Sequence, residues 1–164
     1  MEQAPRDRPA TAPGRDRFVD RPAPVTGQRE RGLLDTSALI LATRITDPTA
    51  LPQVPMISAV TLAELSVGPL VASTDEERAA RQAHVQAAES DFDPIPFDAQ
   101  SARAFGRVAA SLRGAGRKVA ARTYDAMIAA TAIANGLPLY TCDPEDFIAI
   151  EGLEIVAVPH PDRS

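Results

Sequence analysis

Gly32-Leu33-Leu34-Asp35-Thr36-Ser37-Ala38-Leu39 is the stretch on which the fold turns. A short apolar run stops abruptly at an acid followed by two hydroxyl residues. Such a run is a buried strand. Residues of the Asp-Thr-Ser kind then start a helix, because their side-chain oxygens accept from the free N–H groups of its first turn. A strand over Gly32–Leu34 and a helix over Ala38–Ile45 are therefore expected.

The same alternation runs outward from this point. Asp47–Val54 holds two prolines and reads as a loop, Pro55–Ser58 as a second strand and Thr61–Val71 as a helix. Thr74–Ser90 is a further helix, whose first turn carries Asp75, Glu76 and Glu77 and so suits the helix dipole. Asp93–Phe97 is a short strand that Pro94 and Pro96 confine to a sheet edge. Ala99–Leu112 is a helix ending near Gly114 and Gly116. Thr123–Ala134 is the most apolar helix, stopped by Asn135-Gly136. Leu137–Tyr140 is a strand, Pro144–Ile150 a short helix and Leu153–Val158 the last strand. Strands alternating with helices imply an α/β fold: a mainly parallel sheet with helices on both faces. Ligands in such folds bind beyond the carboxyl ends of the strands.

Composition narrows the chemistry. The 164 residues are 45% hydrophobic, enough for one sizeable core, which Ala, Leu, Ile and Val must fill because aromatics make up only 4%. Cys142 is the sole cysteine, so no internal disulfide can form, and a cytoplasmic protein is expected. With His84 and His160 as the only histidines, a soft zinc site is disfavoured, and any metal must sit on oxygen ligands. No apolar run is long enough to span a bilayer. The net charge of -5 argues against a surface uniformly built for nucleic acid. A local basic strip nevertheless exists at Arg113, Arg117, Lys118 and Arg122, able to hold phosphates. Residues 1–30 are rich in Pro and Arg and lack apolar periodicity. They are expected to be a disordered extension, or the product of a start placed upstream of Val25, leaving 31–160 as the domain.

Four acids, Asp35, Glu64, Asp125 and Asp143, each follow a strand or open a helix. Taken singly, each has a capping explanation. Thr61-Leu62-Ala63-Glu64 fits a capping box, and Asp143-Pro144 fits an N-cap followed by Pro at the first helical position. Together they belong to strands that should end on one edge, so they should converge. Two carboxylates about 5 Å apart repel by roughly 3 kcal/mol even at an effective dielectric of 20. A hard divalent cation, Mg²⁺ or Mn²⁺, relieves that repulsion and can serve phosphoryl chemistry. Thr36, Ser37 and Thr141 place hydroxyls beside Asp35 and Asp143, where they can orient the carboxylates.

The motifs also carry a resemblance. Leu33-Leu34-Asp35-Thr36-Ser37-Ala38-Leu39, Ile57–Leu65 with the following Gly68, Tyr124–Ala132, and Leu137–Asp143 with Asp146-Phe147 resemble the four successive motifs of PIN-domain proteins of the VapC family. The resemblance spans about Gly32 to Val158 in the right order. It implies a PIN-like three-layer sandwich, a homodimer, dependence on Mg²⁺ or Mn²⁺, cleavage of RNA, and a VapB-type antitoxin whose tail covers the acidic pocket. Carried over by position, Asp35 and Asp125 hold the metal directly, Glu64 and Asp143 complete its shell, and Asp146 supports the site. Metal-activated water is then expected to hydrolyse the phosphodiester and leave a 5′-phosphate and a 3′-hydroxyl. The alternative is a non-catalytic PIN-like module that binds RNA or protein. A receiver-type phosphorylation module is disfavoured, because the only lysine, Lys118, precedes Asp125 rather than following the last strand. A haloacid-type phosphatase needs an acid at Ser37.

Overall fold

The computed structural model describes residues 30–163 of the chain. The expectation for the N-terminal extension lies outside the described residues, apart from Glu30. The carbonyl of Glu30 accepts from the Val54 N–H at 2.7 Å and so already belongs to the start of the sheet.

Four strands form one sheet: β1 (Arg31–Leu34), β2 (Val54–Met56), β3 (Leu139–Thr141) and β4 (Ile155–Ala157). Their order is β2-β1-β3-β4, and every pairing is parallel. The connecting helices are α1 (Thr36–Leu41), α2 (Ala59–Val67), α3 (Asp75–Asp91), α4 (Ala99–Gly114) and α5 (Thr123–Ala134).

Successive side chains of a strand point to opposite faces, and here that alternation divides the apolar residues into two cores. Leu33 and Leu139 pack with Val108 and Leu112 of α4 and Ile128 of α5. Their strand neighbours Leu34 and Tyr140 pack with Ala38 of α1 and Val85 and Ala88 of α3. Helices therefore cover both faces, as the sequence predicts. Each fully buried Leu or Ile contributes roughly 1.5–3 kcal/mol. Helix α2 bridges the layers, with Val60 in one core and Leu65 in the other. Helix α5 is buried over most of its surface, at Ala126, Ile128, Ala129, Ala130, Thr131 and Ala132. Its small side chains let α4 and the sheet approach closely, which explains its uniform apolarity. Gly32 answers a similar demand: a Cβ there would stand 2.3 Å from the Tyr140 ring.

Local details differ from the sequence reading, each for a visible reason. The strand expected over Asp93–Phe97 is a single parallel bridge, Ile95 to Ser58, beside the end of β2. Ile95 donates its N–H to Ile57 and accepts from Ala59, while the flanking Pro94 and Pro96 have no N–H to extend the ladder. The helix expected over Pro144–Ile150 is one 3₁₀ turn, Pro144–Asp146, and Asp143 does not cap it. The first helix ends at Leu41 and tightens into a 3₁₀ turn over Ala42–Arg44. Helix α2 begins two residues before Thr61, because Ser58 is the cap and accepts from the Thr61 N–H at 3.0 Å. The capping box at Thr61–Glu64 is thus not formed, and Thr61 is a buried residue whose hydroxyl lies 2.9 Å from that of Ser58. Pro69 then turns the end of α2 into a 3₁₀ segment, Gly68–Val71.

The strand order positions the site. From β1 the chain passes to β2 on one side, while β3 and β4 lie on the other. A reversal of this kind leaves a crevice at the carboxyl ends of the two central strands. Asp35 follows β1 and Asp143 follows β3, so both stand at that crevice.

Candidate active site

Asp35 is fixed from several directions at once. Its N–H donates to the Tyr140 carbonyl at 3.0 Å, carrying the β1–β3 ladder one residue further. Its carboxylate caps α1 by accepting from the Ala38 N–H at 2.8 Å. The same carboxylate accepts from Ser37 Oγ at 2.8 and 2.9 Å and from Thr141 Oγ1 at 2.6 Å. Capping and site placement are therefore one role rather than rival ones. The residue is only 5% exposed. Burial raises its pKa, the donors at Ala38, Thr141 and Ser37 pull it back, and the Asp143 carboxylate adds a smaller upward push.

The other acids approach from three further segments. Glu64 lies on the second turn of α2 and accepts from Thr36 Oγ1, which ties α2 to the start of α1. Asp125 lies in the first turn of α5. Its pKa is pushed from 3.8 to about 6 by burial first, then by the carboxylates of Asp146 and Glu64. Arg122 opposes that change, and Asp35 adds to it. Asp143 donates its N–H to Thr141 Oγ1 at 3.0 Å, and its carboxylate accepts from Arg163 Nη1 at 2.8 Å. Asp146 accepts from Arg122 Nη1. The acids named from the sequence thus share one neighbourhood: Asp125 feels Asp146, Glu64 and Asp35, and Asp35 feels Asp143.

They do not form a closed cage. Among the described residues no group of three or more His, Cys, Asp or Glu side chains is drawn tightly enough to grip an ion by itself. The reason is visible in the partners: Asp35, Glu64, Asp143 and Asp146 each already accept a side-chain hydrogen bond within the protein. Such an arrangement still fits magnesium, which keeps several waters and usually takes only one or two carboxylates. The donor set is all oxygen, and the like charge crowding Asp125 is what a hard cation relieves. A pocket of about 240 Å³ opens beside Glu64, bordered by Thr36, Leu65, Arg81 and His84.

The hydroxyls divide their work more finely than the sequence reveals. Ser37 and Thr141 hold Asp35, and Ser37 Oγ also accepts from the Cys142 N–H at 3.0 Å. Thr36 serves Glu64 instead. Within the basic strip, Arg113 and Lys118 are exposed, while Arg117 donates to the Glu145 carbonyl at 2.9 Å. Arg122 turns inward to Asp146 and stands 3.9 Å from Asp125. Arg163 escaped the sequence reading altogether. It stands 20 residues from its partner Asp143, and no local pattern links the two.

Known proteins share this fold. Residues 32–153 match the family model of the PIN domain. The chain is 38% identical over 129 residues to Ribonuclease VapC5 of Mycobacterium tuberculosis, covering 77% of this chain and 93% of that one. It is 36% identical over 131 residues to Ribonuclease VapC4 of the same organism, covering 78% and 97%. The crystal structure of VapBC-5, a member of the VapBC family of toxin–antitoxin systems from Mycobacterium tuberculosis, superposes with a TM-score of 0.68 at 37% identity. That match covers 79% of this chain and 99% of that one.

Proposed function

The chain belongs to the PIN-domain family and, within it, to the VapC ribonucleases, and from that premise we propose that it is the toxin of a toxin–antitoxin pair, an endoribonuclease that needs Mg²⁺ or Mn²⁺. The observation that carries this reading is the crowding of Asp125, whose pKa is raised to about 6 by burial and then by the carboxylates of Asp146, Glu64 and Asp35, from separate segments. Asp35 and Asp125 would hold the ion, with Glu64 and Asp143 completing its surroundings and Asp146 in support. When bound, such an ion lowers the pKa of a water and neutralises charge on the phosphoryl group.

The chain's own residues supply the rest. Ser37, Thr141 and the Ala38 N–H fix the Asp35 carboxylate, so no reorganisation is needed when it meets a cation. Thr36 holds Glu64 toward the same crevice. Above a pH of about 6 Asp125 is ionised and ready to bind. The exposed Arg113 and Lys118, with Arg117, draw the RNA backbone toward the acids. A VapB-type antitoxin is its partner, in keeping with the VapBC complex it resembles, and the protein is proposed to act as a homodimer. Among the described residues no helix is long and apolar enough to cross a membrane.

Purified protein incubated with structured RNA tests the proposal. Cleavage is expected with Mg²⁺, leaving a 5′-phosphate and a 3′-hydroxyl, and is expected to vanish with EDTA or in Asp125→Asn. Undiminished cutting by Asp125→Asn would overturn the assignment. One observation favours a second reading, a non-catalytic module that binds RNA or protein: most of the acids already have protein partners. RNA binding that survives EDTA without any cleavage selects that reading.

A further inference from the structure

Arg122 stands at the junction between the 3₁₀ turn Val119–Arg122 and α5. It is the residue that precedes the first turn of α5, yet it makes no side-chain capping bond there. Ser, Thr, Asp and Asn are preferred at that place because they accept from the free N–H groups, and a guanidinium has no acceptor. Arg122 is equally the last residue of the 3₁₀ turn that runs into α5, where a positive charge suits the end of that turn. Helix position therefore does not by itself account for an arginine here, and its partners do.

Arg122 Nη1 bonds Asp146 in the 3₁₀ turn after β3 and lies 3.9 Å from Asp125 Oδ2. The Arg122, Asp125 and Asp146 side chains are each about one-third exposed, at 31%, 32% and 38%. One guanidinium therefore bridges two acids of the candidate metal site from segments that are otherwise separate in the chain. Of the strip that includes Arg113, Arg117 and Lys118, it is the member turned toward the acids.

We propose that Arg122 is the resident counter-cation of the acid pocket: Asp146 anchors it beside Asp125, where it neutralises the carboxylates in the ion-free protein and competes with the incoming divalent ion. Arg122 thus sets the ion concentration at which the pocket fills. It is a positioning residue for Asp125 and Asp146, and the inference rests on the metal-dependent reading above. Removing a unit charge a few ångströms from a divalent ion should tighten its binding by about tenfold at water-like dielectric.

Direct Mn²⁺ titration of the purified full chain, followed by calorimetry or by the paramagnetic signal of free Mn²⁺, tests this without any RNA. Wild type, Arg122→Met, Arg122→Lys and Asp125→Asn are compared at low and high salt. Arg122→Met is expected to bind Mn²⁺ about tenfold more tightly than wild type, with the gain shrinking as salt screens the charge, and Arg122→Lys should stay near wild type. If Arg122 only ties the turn after β3 to α5, Arg122→Met loses thermal stability and leaves Mn²⁺ affinity unchanged or weaker, which overturns the proposal. Mn²⁺ binding by wild type that disappears in Asp125→Asn upholds the metal site whatever Arg122 does. Absence of binding in wild type removes both readings together.

Discussion

Replacing Asp125 with Asn should make the ion-free protein more stable while abolishing cleavage. Asp125 has its pKa raised from 3.8 to about 6, chiefly by burial and then by Asp146 and Glu64. Each tenfold change in a protonation equilibrium corresponds to about 1.4 kcal/mol, so the unscreened cost of ionising Asp125 in the fold at pH 7 is roughly 3 kcal/mol. The side chain is 32% exposed, and solvent screening reduces that to about 1–2 kcal/mol. Asn also gives up the favourable interaction of an acid with the first turn of α5, worth roughly 0.3–1 kcal/mol. The net gain at pH 7 is then about 1 kcal/mol, or about 3–5 °C in melting temperature for a domain of this size. The sign with pH follows from the direction of the change. A carboxylate with a raised folded pKa favours the fold while protonated, below 3.8, and that contribution is lost as pH rises through about 6. Wild-type protein in EDTA should therefore lose stability between about pH 4 and pH 7 relative to Asp125→Asn, and the two melting curves should converge at acid pH. Adding Mg²⁺ at pH 7 should stabilise wild type and leave the variant unmoved. Thermal melts of both proteins across that range, with and without Mg²⁺, measure all of this. An Asp125→Asn protein less stable than wild type at pH 7 in EDTA, or one whose difference from wild type is constant with pH, would refute the reasoning.

Three other substitutions probe the supports of the site. Asp35→Ala removes the α1 cap and strands the hydroxyls of Ser37 and Thr141 in a buried place, so urea denaturation should register a loss of about 2–4 kcal/mol; a loss under about 0.5 kcal/mol counts against the hydrogen-bonded role. Thr36→Val keeps shape but withdraws the donor that holds Glu64, so stability should change by only about 1 kcal/mol while RNA cleavage falls several-fold; wild-type cleavage would show that Glu64 needs no such hold. Gly32→Ala drives a Cβ to 2.3 Å from the Tyr140 ring, and circular dichroism should show a melting temperature lowered by about 5 °C or more; an unchanged melt would mean that the ring moves aside freely.

Much of this protein was legible in the chain of letters. Apolar runs that stop at Asp35 and near Asp143 announced strands handing over to turns, and their alternation with helices required a parallel sheet covered on both faces. The acids were legible as a set because strand ends in such a sheet share an edge. Backbone hydrogen-bond supply set the limits of that reading. Pro94 and Pro96 reduced an expected strand to the single bridge at Ile95, and Ser58 outcompeted Thr61 as the cap of α2. Both outcomes depend on which neighbour offers a donor or acceptor, which local pattern does not encode. What the sequence by itself determined was the fold class and the two-sided core, since these follow from periodicity and chain direction. Only the tertiary structure decided that Thr36 serves Glu64 rather than Asp35, that Arg163 lies on Asp143, and that Arg122 turns inward to Asp146. Those pairings join residues more than a dozen positions apart, and electrostatics in a half-buried crevice is set by distances that no spacing in the chain records.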